Sequence, residues 1–183
     1  MSRIPELDLD ALSADARAVH DEIVSGPHGH IVGPYPAWLQ VPELARRTRA
    51  LSEFIRFKAA LPRNLAELGI LVTGRHWKAE FEYWAHARLA KKAGVAEEVV
   101  AAIAAGNRPV FTNPDEEVVY DFATELFETH RVSDETYNRA LGRLGLPALV
   151  ELVATVGYYS LVSLTLNAFA VELPEGERSP FPT

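Results

Sequence analysis

The sequence predicts a single all-α domain, and three observations lead there. Apolar residues recur at three- and four-residue intervals through most of the chain, the spacing of one helix face. Short clusters of Gly and Pro separate the periodic segments. No two runs of alternating apolar and polar residues flank a turn, so no strand pair is expected. A chain of 183 residues with 48% apolar residues can bury one core, and it contains no solenoid repeat or low-complexity tract.

The elements follow in order. Residues 9–24 place Leu12, Ala16, Val19 and Ile23 on one stripe, with Ser13 and Asp15 as helix-start chemistry. Residues 25–36 hold Gly26, Pro27, Gly29, Gly33, Pro34 and Pro36 and read as a long loop ending in Tyr35, Pro36 and Trp38, of a length that often carries function. Pro42 suits the first turn of a helix to about Lys58, for which Leu44, Leu51, Phe54 and Ile55 supply a core stripe. Leu61-Pro62 is a break; helices follow at 63–74 and 78–93, the second closed by Gly94. A short helix at 96–105 ends at Gly106, and Pro114 with three acidic residues opens another to about His130. Residues 133–142 restart a helix, 147–171 form a long apolar one, and 173–183 read as an extended tail. The domain core spans 33–176, preceded by an N-terminal helix and loop at 1–32 and followed by the tail at 174–183.

Composition narrows the function. Eighteen basic against 25 acidic side chains give a formal charge of -7, so non-specific nucleic-acid binding is not expected. The chain has no cysteine, which removes disulfides, thiolate nucleophiles and cysteine-ligated metal. No basic region followed by an apolar run opens the sequence, and a cytoplasmic location is expected. Residues 152–171 are uncharged and as long as a membrane span, but they carry polar residues such as Thr155, Tyr158, Tyr159 and Asn167 and lie between Glu151 and Glu172. Burial within protein, partly between subunits, is the expectation, with no membrane partner.

Two helices carry ionisable residues in apolar surroundings. Glu67 is the one ionisable residue in Leu65-Ala66-Glu67-Leu68-Gly69-Ile70-Leu71-Val72, with Ile70 and Leu71 on its face. Such a carboxylate is either a desolvated proton carrier or the partner of an arginine, Arg63 or Arg75. Glu82 and His86 lie four apart on the next helix, within contact on a face that continues through Ala79, Leu89, Ala90 and Ala93. They form either an acid/base pair or a surface ion pair. The single Glu-x-x-x-His does not match the repeated Glu-x-x-His of di-iron bundles, so no metal is expected. His28-Gly29-His30 in the loop reads as an exposed element, with closure over a site as the alternative. There is no phosphate loop, nucleophile elbow or zinc-protease motif, and no cofactor is expected.

The spacing from Glu67 through Glu82 to His86 resembles the core motif of the carboxymuconolactone decarboxylase and alkylhydroperoxidase D-like superfamily. Residues 67–75 are similar to its first motif helix, and Phe81-Glu82-Tyr83-Trp84-Ala85-His86 with the ending at Gly94 to its second. Gly33-Pro34-Tyr35, Trp38-Leu39 and Pro42-Glu43-Leu44 resemble its leading segment; Gly157-Tyr158-Tyr159, Asn167-Ala168-Phe169 and Pro174-Glu175-Gly176 resemble its last helix and exit. The peroxidase branch carries cysteines seven and four residues before its His, at positions held here by Ala79 and Glu82, so the resemblance implies the cysteine-free branch.

The resemblance implies an alkylhydroperoxidase D-like helical bundle that assembles as a homo-oligomer, a trimer or hexamer. It implies proton-transfer chemistry by Glu67, Glu82 and His86, a decarboxylation or related lyase or isomerase step on a small anionic organic acid or lactone. Arg75 or Arg46 is expected to hold the substrate's charge, with Tyr35 and Tyr158 lining the pocket. A non-catalytic or metal-binding helical oligomer is the alternative.

Overall fold

A computed structural model describes residues 2–4, 7–26 and 29–182, and among them all regular structure is helical. The elements are α1 (Ala14–Ser25), α2 (Tyr35–Trp38), α3 (Pro42–Phe57), α4 (Arg63–His76), α5 (Glu80–Lys92), α6 (Glu97–Ala105), α7 (Pro114–Thr129) and α8 (Asp134–Ala168). Helix boundaries expected from sequence fall within about five residues of these, except that Tyr35–Trp38 form the short helix α2 where a loop was expected; the punctuation explains the agreement. Ser13 caps α1 by accepting from the Ala16 amide, Asn113 caps α7 from Asp115, and Ser133 caps α8 from Thr136. The last two predicted helices join end to end, with a break at Gly145 (φ 75°, ψ 160°) and Pro147 in the turn that follows.

The centre of the bundle is α4. Every residue from Leu65 to Gly74 is buried, because α4 lies against α5, α7 and α8 at once. Gly69 makes this possible: a Cβ there would stand 3.1 Å from Leu152 Cδ1, so the missing side chain lets α8 approach closely. One apolar cluster, including Leu68, Leu71, Val119 and Leu152, fills the space among α4–α8. A second joins α1–α3 to α8 through Val19, Ile23, Trp38, Ile55, Tyr158 and Leu166. The Trp38 indole also donates to Thr165 Oγ1 at 3.2 Å.

One sequence expectation is corrected here. The core-facing stripe of α3 is Ala45, Thr48, Ser52 and Ile55, while Leu44, Leu51 and Phe54 are 40%, 43% and 42% exposed. Small residues let α3 come close to its neighbours, and the Thr48 hydroxyl donates to the Leu44 carbonyl within the helix. The apolar stripe that looked like core from periodicity faces outward. The uncharged part of α8 behaves similarly: Leu152, Val156, Tyr159 and Val162 are buried, whereas Val150, Val153, Leu161 and Leu164 are exposed. By length and composition α8 could cross a membrane, and 56% of its most apolar stretch is buried inside the fold.

The two kinds of helical glycine should respond oppositely to a side chain. Gly69→Val is expected to destabilise the protein by about 1–3 kcal/mol through overpacking. Gly142→Ala, in open space on a helix, is expected to stabilise by roughly 0.5–1 kcal/mol. Urea unfolding monitored by circular dichroism measures both.

Candidate active site

Glu67, Glu82 and His86 converge on one point. Glu67 projects from the second turn of α4 with no solvent exposure. Glu82 lies in the first turn of α5 and His86 one turn further on, both buried. The turn between the helices fixes their relative position: the Ala79 amide donates to the Gly74 carbonyl at 2.9 Å, the Trp77 indole donates to Ser160 Oγ at 3.0 Å, and the Asn167 amide donates to the Trp77 carbonyl at 2.6 Å. His86 Nδ1 then meets Glu67 Oε2 at 2.7 Å, and His86 Nε2 stands 3.0 Å from Glu82 Oε1. Arg63, one turn before Glu67 on α4, pairs with Glu67 Oε1. Of the two readings of Glu67 from sequence, the arginine partnership is met by Arg63; the carboxylate is also fully buried and bonded to His86.

The result is a row of alternating charge types, Arg63, Glu67, His86 and Glu82. It runs from a half-exposed guanidinium through the core to a cavity. Burial is the largest single influence on His86 and lowers its pKa, but the charges of Glu82 and Glu67 and the hydrogen bonds to them outweigh it together. The imidazole ends at about 9, above its ordinary 6.5, and is protonated at neutral pH. Tyr159 contacts it edge-on, with ring centroids 4.9 Å apart. Burial pushes the Tyr158 and Tyr159 phenols well up, so both stay as neutral hydroxyls.

The cavity in front of the row has a volume of about 200 Å³ and exposes both Glu82 and His86. Glu67 does not line it. The N-terminal segments supply the opposite wall through Gly33, Tyr35, Ser52 and Arg56. Gly33 has φ +63°, and a Cβ there would sit 3.3 Å from the Phe81 ring, so a glycine is needed for the loop to close against α5. Tyr35 and Tyr158 line the cavity, as the sequence suggested, and Ser52 lines it beside them.

The two arginines proposed from sequence are elsewhere. Arg75 packs on Gly106 and over the Phe181 ring at 5.2 Å, and it lines a separate cavity between α4, α6 and α7. In the last turn of α4, eight residues beyond Glu67, it stands about 12 Å further along the helix axis. Arg46 is on the surface of α3, bonded to Glu43 and Asp15 at 2.8 Å each. The arginine at the cavity is Arg56, which sequence reasoning missed together with Ser52. Their signal was present as a polar pair four residues apart on α3, but it was hidden by assigning the wrong face of that helix to the core. His30 lines the cavity; His28 lies outside the described residues.

Comparison with solved structures gives the fold a name. An uncharacterized peroxidase-related protein from Ralstonia eutropha, described as an alkylhydroperoxidase AhpD core, superposes with a TM-score of 0.77 and 18% identity over 95% of this chain and 93% of that one. The chain has the alkylhydroperoxidase D-like fold. A second neighbour, an uncharacterized peroxidase-related protein from a Silicibacter species, superposes with a TM-score of 0.73 and 12% identity over 92% of this chain and 90% of that one. No family model matches the sequence, and no curated protein does.

Two measurements test the charge row. In histidine-ring NMR titrations, Glu82→Gln and Glu67→Gln should each bring the His86 pKa down towards its ordinary range. A raised folded-state pKa stabilises the fold fully below the unfolded value of 6.5, and that contribution is lost as pH rises through about 9. Wild-type stability should therefore fall between pH 6.5 and 9, and His86→Gln should show a flatter profile across the same window in chemical denaturation.

Proposed function

We propose that this protein is a carboxymuconolactone decarboxylase-like enzyme that works by proton transfer on a small anionic organic acid or lactone, without a thiol. The observation that supports this reading most directly is the placement of Glu82 and His86 together at a cavity whose far wall carries Arg56. A protonated imidazole held between two carboxylates is a proton store, and Glu82 is the carboxylate that reaches the substrate. The chain has no cysteine to run the peroxidase chemistry found on this fold.

In a decarboxylation, Arg56 would hold an anionic oxygen of the substrate. The carbon–carbon bond to the departing carboxylate breaks, its electron pair remains as an enolate, and carbon dioxide leaves. His86 passes its Nε2 proton to Glu82, and Glu82 delivers a proton to the enolate carbon. Water then restores the proton on His86. The cationic His86 and Arg56 and the neutral phenols of Tyr35, Tyr158 and Tyr159 stabilise the developing negative charge in a site largely closed to water. Glu67 orients the ring and holds its charge without touching the substrate.

We further expect a homo-oligomer in which a second copy covers the outward apolar stripes of α3 and α8. These stripes, Leu44–Leu51–Phe54 and Val150–Val153–Leu161–Leu164, lie on two helices that pack on each other.

Turnover of a panel of β-keto acids, unsaturated diacids and lactone acids, followed by carbon dioxide release and by deuterium uptake from solvent, tests the chemistry. Glu82→Gln and His86→Gln should each lower kcat about 10²-fold or more, and Arg56→Gln should both raise KM and lower kcat. Deuterium-free product, or full turnover by both carboxamide variants, would sink the reading. For the assembly, light scattering should give a mass at a multiple of 20.2 kDa, and Leu51→Glu with Leu161→Glu should reduce it.

A further inference from the structure

The catalytic cavity does not end at its mouth. It continues into a wider vestibule of about 680 Å³ that shares Gly33, Arg56, Phe81 and Leu89 with it. Three arginine or lysine residues line this vestibule, Arg56, Arg88 and Lys92, and among the described residues no carboxylate does. That is unusual in a chain with 25 acidic and 18 basic side chains, because a random wall of this protein would carry more negative than positive charge. Arg88 and Lys92 are exposed, and neither forms an ion pair with a described carboxylate. Lys92 suits the C-terminal end of α5 on dipole grounds. Arg56, in the last turn of α3, has the same explanation, whereas Arg88 lies before the last turn of α5.

The vestibule's remaining wall is apolar. Phe81 and Trp84 stand with ring centroids 5.7 Å apart, Pro174 closes the outer side, and the Arg88 guanidinium lies 5.6 Å from the Trp84 ring centroid. Trp84, Arg88 and Lys92 follow Glu82 in order along α5. At a rise of 1.5 Å per residue, Arg88 is about 9 Å along that axis from Glu82 and Lys92 about 15 Å.

Resting on the acid/base reading of the inner chamber, we propose that the substrate is an elongated bis-anion with an apolar spacer. Its reacting end lies at Glu82, His86 and Arg56, its spacer runs along Phe81 and Trp84, and its second anionic group binds Arg88 and Lys92. A field of one sign in a concave wall concentrates such ligands and is weakened by salt.

Straight-chain dicarboxylates from glutarate to sebacate, each paired with the monocarboxylate of equal length, test this by calorimetry on the intact protein. The expected result is at least a tenfold affinity advantage of the best dicarboxylate over its monocarboxylate partner, with an optimum at one chain length. Arg88→Gln/Lys92→Gln, two surface changes, should remove that advantage and leave monocarboxylate binding unchanged. Equal binding of both series to the wild type, no binding of either, or an advantage that survives in the double variant would overturn the proposal. The acid/base reading is judged separately, by the loss of turnover in His86→Gln, so failure of one does not imply failure of the other.

Discussion

A carboxylate placed at the centre of an all-buried helix constrains everything around it. Glu67 sits where α4 touches α5 and α8, and an uncompensated charge there would cost several kcal/mol. Its oxygens face two cationic groups from different directions: Arg63 from its own helix and His86 from the next. The hydrogen bond to His86 therefore does structural work and chemical work together. It sets the register of α5 on α4, and it leaves the other face of the imidazole to Glu82, which faces the cavity. The imidazole is consequently held in the core with Glu82 between it and the cavity wall.

The N-terminal third of the chain matters for the same reason. The α4–α8 core could present Glu82 and His86, but by itself it would leave them open to water on one side. The 29–34 loop, α2 and α3 close that side, and their attachment is specific. Tyr35, Trp38 and Tyr158 interlock through ring contacts of 5.5 Å and 6.3 Å about Trp38, and Gly33 allows the loop to meet Phe81. Enclosure strengthens the interaction of Arg56 and His86 with an anion relative to the same pair in water. The residues that enclose the cavity on that side therefore come from a segment that contributes nothing to the charge row itself.

Most of the fold was legible in sequence because its punctuation is local. The helix starts at Ser13, Pro114 and Ser133, and the breaks at Pro62, Gly94 and Gly106, act over a few residues and are visible without tertiary information. The charge row was half legible. Glu82 and His86 share a face by arithmetic, but nothing in the spacing of α4 says that Glu67 faces α5. The resemblance joined them, and the coordinates now supply the contact. The cation at the cavity, Arg56, was not legible. Arg75 belongs to a recognisable motif and Arg46 neighbours a familiar segment, whereas Arg56 belongs to neither. It reaches the cavity only because α3 turns its small residues inward, a choice made by how closely α3 can approach its neighbours and not by hydrophobic periodicity.

That same choice leaves Leu44, Leu51 and Phe54 in solvent, and it links the site to the surface. On α3, Ser52 and Arg56 point into the cavity while Leu51 and Phe54 point out, separated by about a third of a helical turn. On α8, Tyr158, Tyr159 and Val162 point in while Leu161 and Leu164 point out. Two walls of the cavity are thus the inner faces of helices whose outer faces are apolar and uncovered within one chain. Anything that covers those outer faces holds α3 and α8 in place and so determines how tightly Arg56 and the tyrosines close on a ligand. The physical reason is short-range: a helix is about 10 Å across with its side chains and cannot shift on one face without shifting on the other.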